Sequence, residues 1–115
     1  MRIASLLFLV LFAGCTKSQP VSSPATPEEA QKLLESKGRA VYQSSCTSCH
    51  SNDPKVDGSL GPAVAGSSRE LLEARIMTAT YPAGYTPKRP SLVMVALPHL
   101  KNDIDALAAY LGSVR

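Results

Sequence analysis

Tryptophan is absent from this chain of 115 residues, and aromatic side chains make up only 5% of it. With so few large rings the sequence has little from which to build a wide apolar core. Domains of this size often depend on a disulfide, a metal or a cofactor for that reason. Charge of one sign is also scarce, since 12 Lys and Arg stand against 9 Asp and Glu, scattered along the chain. The resulting +3 excludes the concentrated basic face that marks a nucleic-acid binder. No alternating strand pattern occurs, so a β-rich fold is excluded too. The length allows one domain and leaves no room for a separate substrate module. Cysteine is limited to three, an odd number that pairing within the chain cannot exhaust.

One of the three belongs to the N-terminus. Met1-Arg2 is a short positive start, and Ile3 to Phe12 follow with only Ser5 interrupting the apolar run. That run is too short to span a bilayer, which takes about 20 residues, and it has the form of a secretory signal. Ala13-Gly14 then place small residues before Cys15. The run Leu11-Phe12-Ala13-Gly14-Cys15 resembles a bacterial lipoprotein signal, which implies that Cys15 is acylated and becomes the mature N-terminus. A plain secretory signal with an incidental Cys15 is the alternative; in either case the mature protein is exported. Several acyl chains together anchor stably where one is marginal.

The expected organisation is a signal over residues 1–14, a lipid-anchored flexible linker over 15–26 and one folded domain over 27–115. The linker is polar and proline-containing, and as a coil it reaches roughly 20 Å. Thr26-Pro27-Glu28-Glu29 then offers an N-cap, a proline at the first helical position and a glutamate at the third. Ala30, Leu33, Leu34, Val41 and Tyr42 keep a helical stripe that includes Gly38, predicting a helix to about Gln43. Ser67-Ser68-Arg69-Glu70 opens a second helix, with Leu71, Leu72, Ile76 and Ala79 at helical spacing. Tyr81 to Leu92 holds Pro82, Gly84, Pro87 and Pro90 and reads as an irregular loop. A last helix from near Asn102 carries Ile104, Leu107, Ala108 and Leu111 and ends at Gly112. The fold class is therefore all-α.

Cys46-Thr47-Ser48-Cys49-His50 carries the chemistry. C-x-x-C-H is the spacing of covalent c-type haem attachment. Two cysteines one helical turn apart reach two vinyl groups on one porphyrin edge, and the adjacent histidine supplies an imidazole nitrogen to the iron. Three other readings stand beside it. A thioredoxin-like pair would sit near a βαβ pattern, and a zinc site would need a second C-x-x-C. The third is a tight structural disulfide.

Gly38-x-x-x-Tyr42-x-x-x-Cys46-x-x-Cys49-His50 resembles the first helix and haem motif of small class I cytochromes c, and the resemblance extends over about Pro27 to Val114. It implies three main helices packed around one covalent haem c, with Gly38 at a close crossing of the first and last helices and Tyr42 and Tyr110 packed there. It implies that the carbonyl of Pro62, in Gly61-Pro62, accepts a hydrogen bond from His50. It implies a methionine as sixth ligand from a loop before the last helix, where Met94 stands. Met77, His99 and an open site are the alternatives. The function implied is one-electron transfer, not enzymatic turnover, between redox partner proteins: a donor dehydrogenase or cytochrome and an acceptor oxidase or cytochrome. A haem sensor with a labile sixth ligand, or the haem subunit of a larger dehydrogenase or oxidase, are the other functions compatible with these residues. The place implied is periplasmic or otherwise extracytoplasmic, on a membrane through the lipid anchor. Arg75, Tyr81, Tyr85 and Arg89 are candidates to meet the haem carboxylates, and Lys55, Lys88 and Arg89 to steer an acidic partner.

Overall fold

The computed structural model describes residues 25–115; the expected signal, Cys15 and the linker up to residue 24 lie outside the described residues. Three α-helices and one 3₁₀ helix form the domain, and no strand occurs among the described residues. The fold is all-α, as the periodicity predicts.

Helix α1 spans Pro27–Ser45. Its start is a capping box: the Thr26 hydroxyl accepts from the Glu29 N–H at 3.2 Å, and the Glu29 carboxylate accepts from the Thr26 N–H at 2.8 Å. Pro27 costs nothing at this position, because its missing N–H has no partner in a first turn. The helix runs two residues past the expected Gln43, to a C-cap at Cys46 whose N–H bonds the Tyr42 carbonyl at 2.9 Å. The haem-type motif therefore begins where the helix ends.

Helix α2 spans Arg69–Thr78, opened by Ser68, whose hydroxyl accepts from the Leu71 N–H at 3.1 Å. The expected stripe included Ala79, but this residue is the cap, in the left-handed region with φ 57°. Its N–H turns back to the Ala74 and Arg75 carbonyls, which satisfies groups that the helix end would leave open.

The last helix differs most from its expected start. A 3₁₀ helix over Pro98–Asp103 precedes α3, which spans Ile104–Ser113. Pro98 has the backbone angle an opening turn needs. Asp103 makes no side-chain cap, because its carboxylate is drawn instead to Lys37 on α1, at 2.7 Å.

The principal helix packing is α1 across α3. A Cβ on Gly38 would overlap the Ala106 carbonyl of α3 and lie 2.8 Å from the Tyr110 Cβ, so only glycine permits this approach. Beside the crossing, the Tyr42 and Tyr110 rings pack at 5.8 Å between centroids. The core is small: Tyr42, Ile76, Leu100, Ile104, Leu107 and Leu111. Five of those six, all but Ile104, also line an open cavity.

Candidate functional site

The cavity, about 270 Å³, lies between the end of α1, the loop after it, α2 and the irregular strap Thr80–Leu97. Leu100, Leu107 and Leu111 form its floor, and Cys46, Cys49 and His50 line it from the α1 end. The last three residues are placed by local bonds. The N–H groups of Cys49 and His50 both return to the Cys46 carbonyl, at 3.2 and 2.9 Å, continuing the helical turn past the cap. The Cys49 carbonyl in turn accepts from the Leu60 and Gly61 N–H groups, which folds the following loop back over the motif.

That loop supports the histidine. His50 Nδ1 lies 2.8 Å from the Pro62 carbonyl oxygen. A carbonyl can only accept, so Nδ1 carries the proton and Nε2 keeps its lone pair, which is the tautomer a metal-ligating histidine requires. Gly61 is pressed against the same ring: a Cβ there would lie 2.6 Å from Nδ1 and 2.9 Å from Nε2. Gly58 is equally constrained, since a Cβ would overlap the Cys49 carbonyl. Sequence reasoning missed Gly58, whose only signal was its being glycine so soon after the motif. Tyr42 completes the support by donating its hydroxyl to the Ser51 carbonyl at 2.6 Å.

No disulfide joins Cys46 to Cys49. Burial, with a smaller contribution from Cys49, pushes the Cys46 thiol up to about 11. A thioredoxin-like pair sits beside a βαβ unit, and no strand occurs among the described residues, so that reading lacks its setting. Among the described residues no three His, Cys, Asp or Glu side chains converge as a metal cage would need, which removes the zinc reading as well.

The structure separates the three candidates for a second axial ligand. Met94, half-buried, lines the cavity on the strap. Met77 packs against the core from α2, and His99 is exposed on the 3₁₀ helix; neither lines the cavity.

Arg75 is 9% exposed and lines the cavity with Tyr81 and Tyr85. Its guanidinium sits 4.2 Å over the Tyr81 ring and donates to the Ala79 carbonyl, and Tyr81 stacks on Tyr85 at 5.4 Å. No carboxylate pairs with it among the described residues, so a buried cation faces the cavity with spare donors. Lys88 and Arg89 also line the cavity but are held within the fold: Lys88 Nζ donates to the Ala63 carbonyl at 2.8 Å, and Arg89 pairs with Asp57 at 2.9 Å. Lys88 is nevertheless exposed and keeps its charge at the surface, while the Arg89 charge is paired.

The donor set and the walls fit a haem: two thiols one turn apart, a histidine in the ligating tautomer, a thioether on the strap, a cation for a carboxylate, and apolar surface between them. No curated protein and no solved structure shows a significant match to this chain. Residues 35–115, well over half of its length, match the family model for cytochrome c. Its cofactor is accordingly a covalently bound haem c, with Cys46 and Cys49 in the C-x-x-C-H motif, and the chain belongs to the cytochrome c family of haem-based electron carriers.

Proposed function

We propose that the protein is a one-electron carrier of the small class I type, with His50 and Met94 as the two axial ligands of the haem iron and with no enzymatic turnover of its own. The observation that carries this reading is the pairing of His50, fixed through Nδ1 to Pro62 at 2.8 Å, with Met94, the only candidate second ligand that lines the same cavity. A haem c bound there supplies an iron that gains and loses one electron without making or breaking bonds. The chain's own residues keep that exchange simple. Cys46 and Cys49 hold the cofactor, and Pro62 keeps the imidazole of His50 in one orientation. Leu100, Leu107 and Leu111 exclude water, which limits the rearrangement that each change of charge requires. Arg75, backed by Tyr81, offers a buried cation to a haem carboxylate.

The reading includes export and attachment. Residues 1–14 act as the signal, Cys15 carries the lipid, and residues 15–26 tether the domain over 27–115 to the outer side of a bacterial membrane, within reach of redox partner proteins. The apolar run ending in Ala13-Gly14-Cys15 supports this part. Mass spectrometry of protein extracted from membranes is expected to find one haem and an acylated chain that begins at Cys15. A chain that keeps residues 1–14, or lacks acyl mass, overturns the anchor. In the ferric protein, Met94→Ala is expected to abolish the methionine–iron charge-transfer band while Met77→Ala and His99→Ala retain it. Retention of the band in Met94→Ala overturns the ligand assignment.

A further inference from the structure

The strap Thr80–Leu97 is poorly supported for a segment that lines the cavity. Its start is tied to α2, with the Thr80 N–H bonded to the Ala74 carbonyl at 3.2 Å, and Tyr85 closes one turn onto Pro82. Its end is tied through the Leu97 N–H to the Ile76 carbonyl at 2.7 Å. Between Tyr85 and Leu97, among the described residues, the backbone makes no hydrogen bond to the rest of the domain. The bonds that do cross come from two side chains. Lys88 donates to the Ala63 carbonyl at 2.8 Å, and Arg89 reaches Asp57 at 2.9 Å and the Gly58 carbonyl at 3.5 Å. Leu92, Val93 and Val95, around Met94, are exposed and add little apolar hold.

The acceptors are as informative as the donors. Asp57, Gly58 and Ala63 all belong to the loop that contains Gly61 and Pro62, the two residues set against the His50 ring. Asp57 also organises that loop from within, since its Oδ1 accepts the Ala63 N–H at 2.7 Å. One carboxylate thus joins the loop that orients His50 to the strap that carries Met94. The Ala63 N–H and Arg89 hold the Asp57 carboxyl below the usual carboxylate range, in keeping with a charged and engaged group.

We infer that Asp57 and Arg89, assisted by Lys88, form a clasp that positions the Met94 strap over the cavity and keeps outside ligands from it. The inference rests on the His50/Met94 reading, and these are positioning residues, since they act through the strap and not on the iron.

The test uses ferric holoprotein as wild type, Asp57→Asn, Arg89→Gln and the double variant, with imidazole as the probe. Asparagine keeps an oxygen for the Ala63 N–H, so the loop's own bond survives. Each single substitution is expected to speed imidazole binding about fivefold, the upper range for an exposed pair, and the double variant to go no faster. Added salt should bring the wild type toward the variants, and Arg89→Lys should restore part of the slow rate. Trypsin cleavage after Lys88 should rise in Asp57→Asn, a readout that does not depend on the iron. Unchanged binding and cleavage overturn the clasp, and so does an additive effect in the double variant. The methionine–iron band of the wild type tests the ligand reading separately: its absence overturns that reading, while the binding and cleavage rates still decide the clasp.

Discussion

Replacing Gly38 with alanine places one methyl group where the structure has no room for it. The new Cβ would stand 2.5 Å from the Ala106 carbonyl carbon and 2.8 Å from the Tyr110 Cβ, closer still to the Ala106 oxygen. Ordinary carbon contacts lie at about 3.5–4.0 Å, so α1 must retreat from α3 by about 1 Å. The obstructing atoms are a backbone carbonyl and a Cβ, neither of which a rotamer change can move. Retreat also loosens the packing of Tyr42 on Tyr110 and of Leu107, which is 1% exposed. Forced overpacking costs about 1–3 kcal/mol, against a helix-propensity gain of about 0.5–1 kcal/mol for removing a glycine. The upper end applies where nothing can yield, which leaves a net loss of about 2 kcal/mol. For a domain of this size that lowers the melting temperature by about 10 °C. Gly112 is the matched control, since it too lies in a helix but a Cβ there meets only the Arg115 guanidinium at 4.0 Å. Thermal unfolding of the two holoprotein variants, followed by circular dichroism, should show Gly38→Ala falling and Gly112→Ala holding or rising slightly. If Gly38→Ala melts at or above the wild type, propensity outweighs the crossing and the reasoning is wrong.

Two further outcomes follow from the same geometry. Burial pushes the Tyr42 hydroxyl up to about 12 from an ordinary value of 10.0, so the folded state favours its neutral form. That contribution is complete below pH 10 and is lost as pH rises toward 12, by about 2–3 kcal/mol. Tyr42→Phe gives up the bond to Ser51, costing about 1 kcal/mol at neutral pH, but should flatten the alkaline limb; parallel denaturant midpoints against pH in both proteins would contradict the assignment. Gly61→Ala forces the His50 ring to tilt and stretches its bond to Pro62. Because that bond makes the imidazole a stronger donor, its loss should raise the reduction potential; voltammetry showing an unchanged or lowered potential would rule out support from Gly61.

What the amino-acid order makes legible here is whatever depends on short spacing. Thr26 and Glu29 form their capping box and Cys46 to His50 occupy one turn, while the meeting of Gly38, Tyr42 and Tyr110 is what the family resemblance implies. The first two relations are set by a few intervening residues, and three-dimensional context had little to alter. Local spacing was weaker wherever a distant partner competes. The expected helix start near Asn102 falls inside the 3₁₀ helix, where the Asp103 carboxylate is held by Lys37, and Ala79 continues an apolar stripe yet ends its helix by turning its N–H back on the last carbonyls.

Lys88 and Arg89 are the fullest case of the same effect. Read along the chain they are two neighbouring surface cations, and a charge without a visible partner suggests a partner elsewhere. Their acceptors lie 25 and 32 positions away, brought near only because the loop after His50 folds back on the Cys49 carbonyl. Arg75 inverts the argument. It too lacks a carboxylate partner in sequence, but among the described residues the fold supplies none and buries it beside the cavity, against Tyr81. A cation that the fold satisfies is part of the fold; Arg75, buried beside the cavity with no carboxylate partner among the described residues, leaves donors free toward it. The scarcity of aromatic residues has the same origin, because five of the six core side chains face a space that a porphyrin, not a tryptophan, is suited to fill.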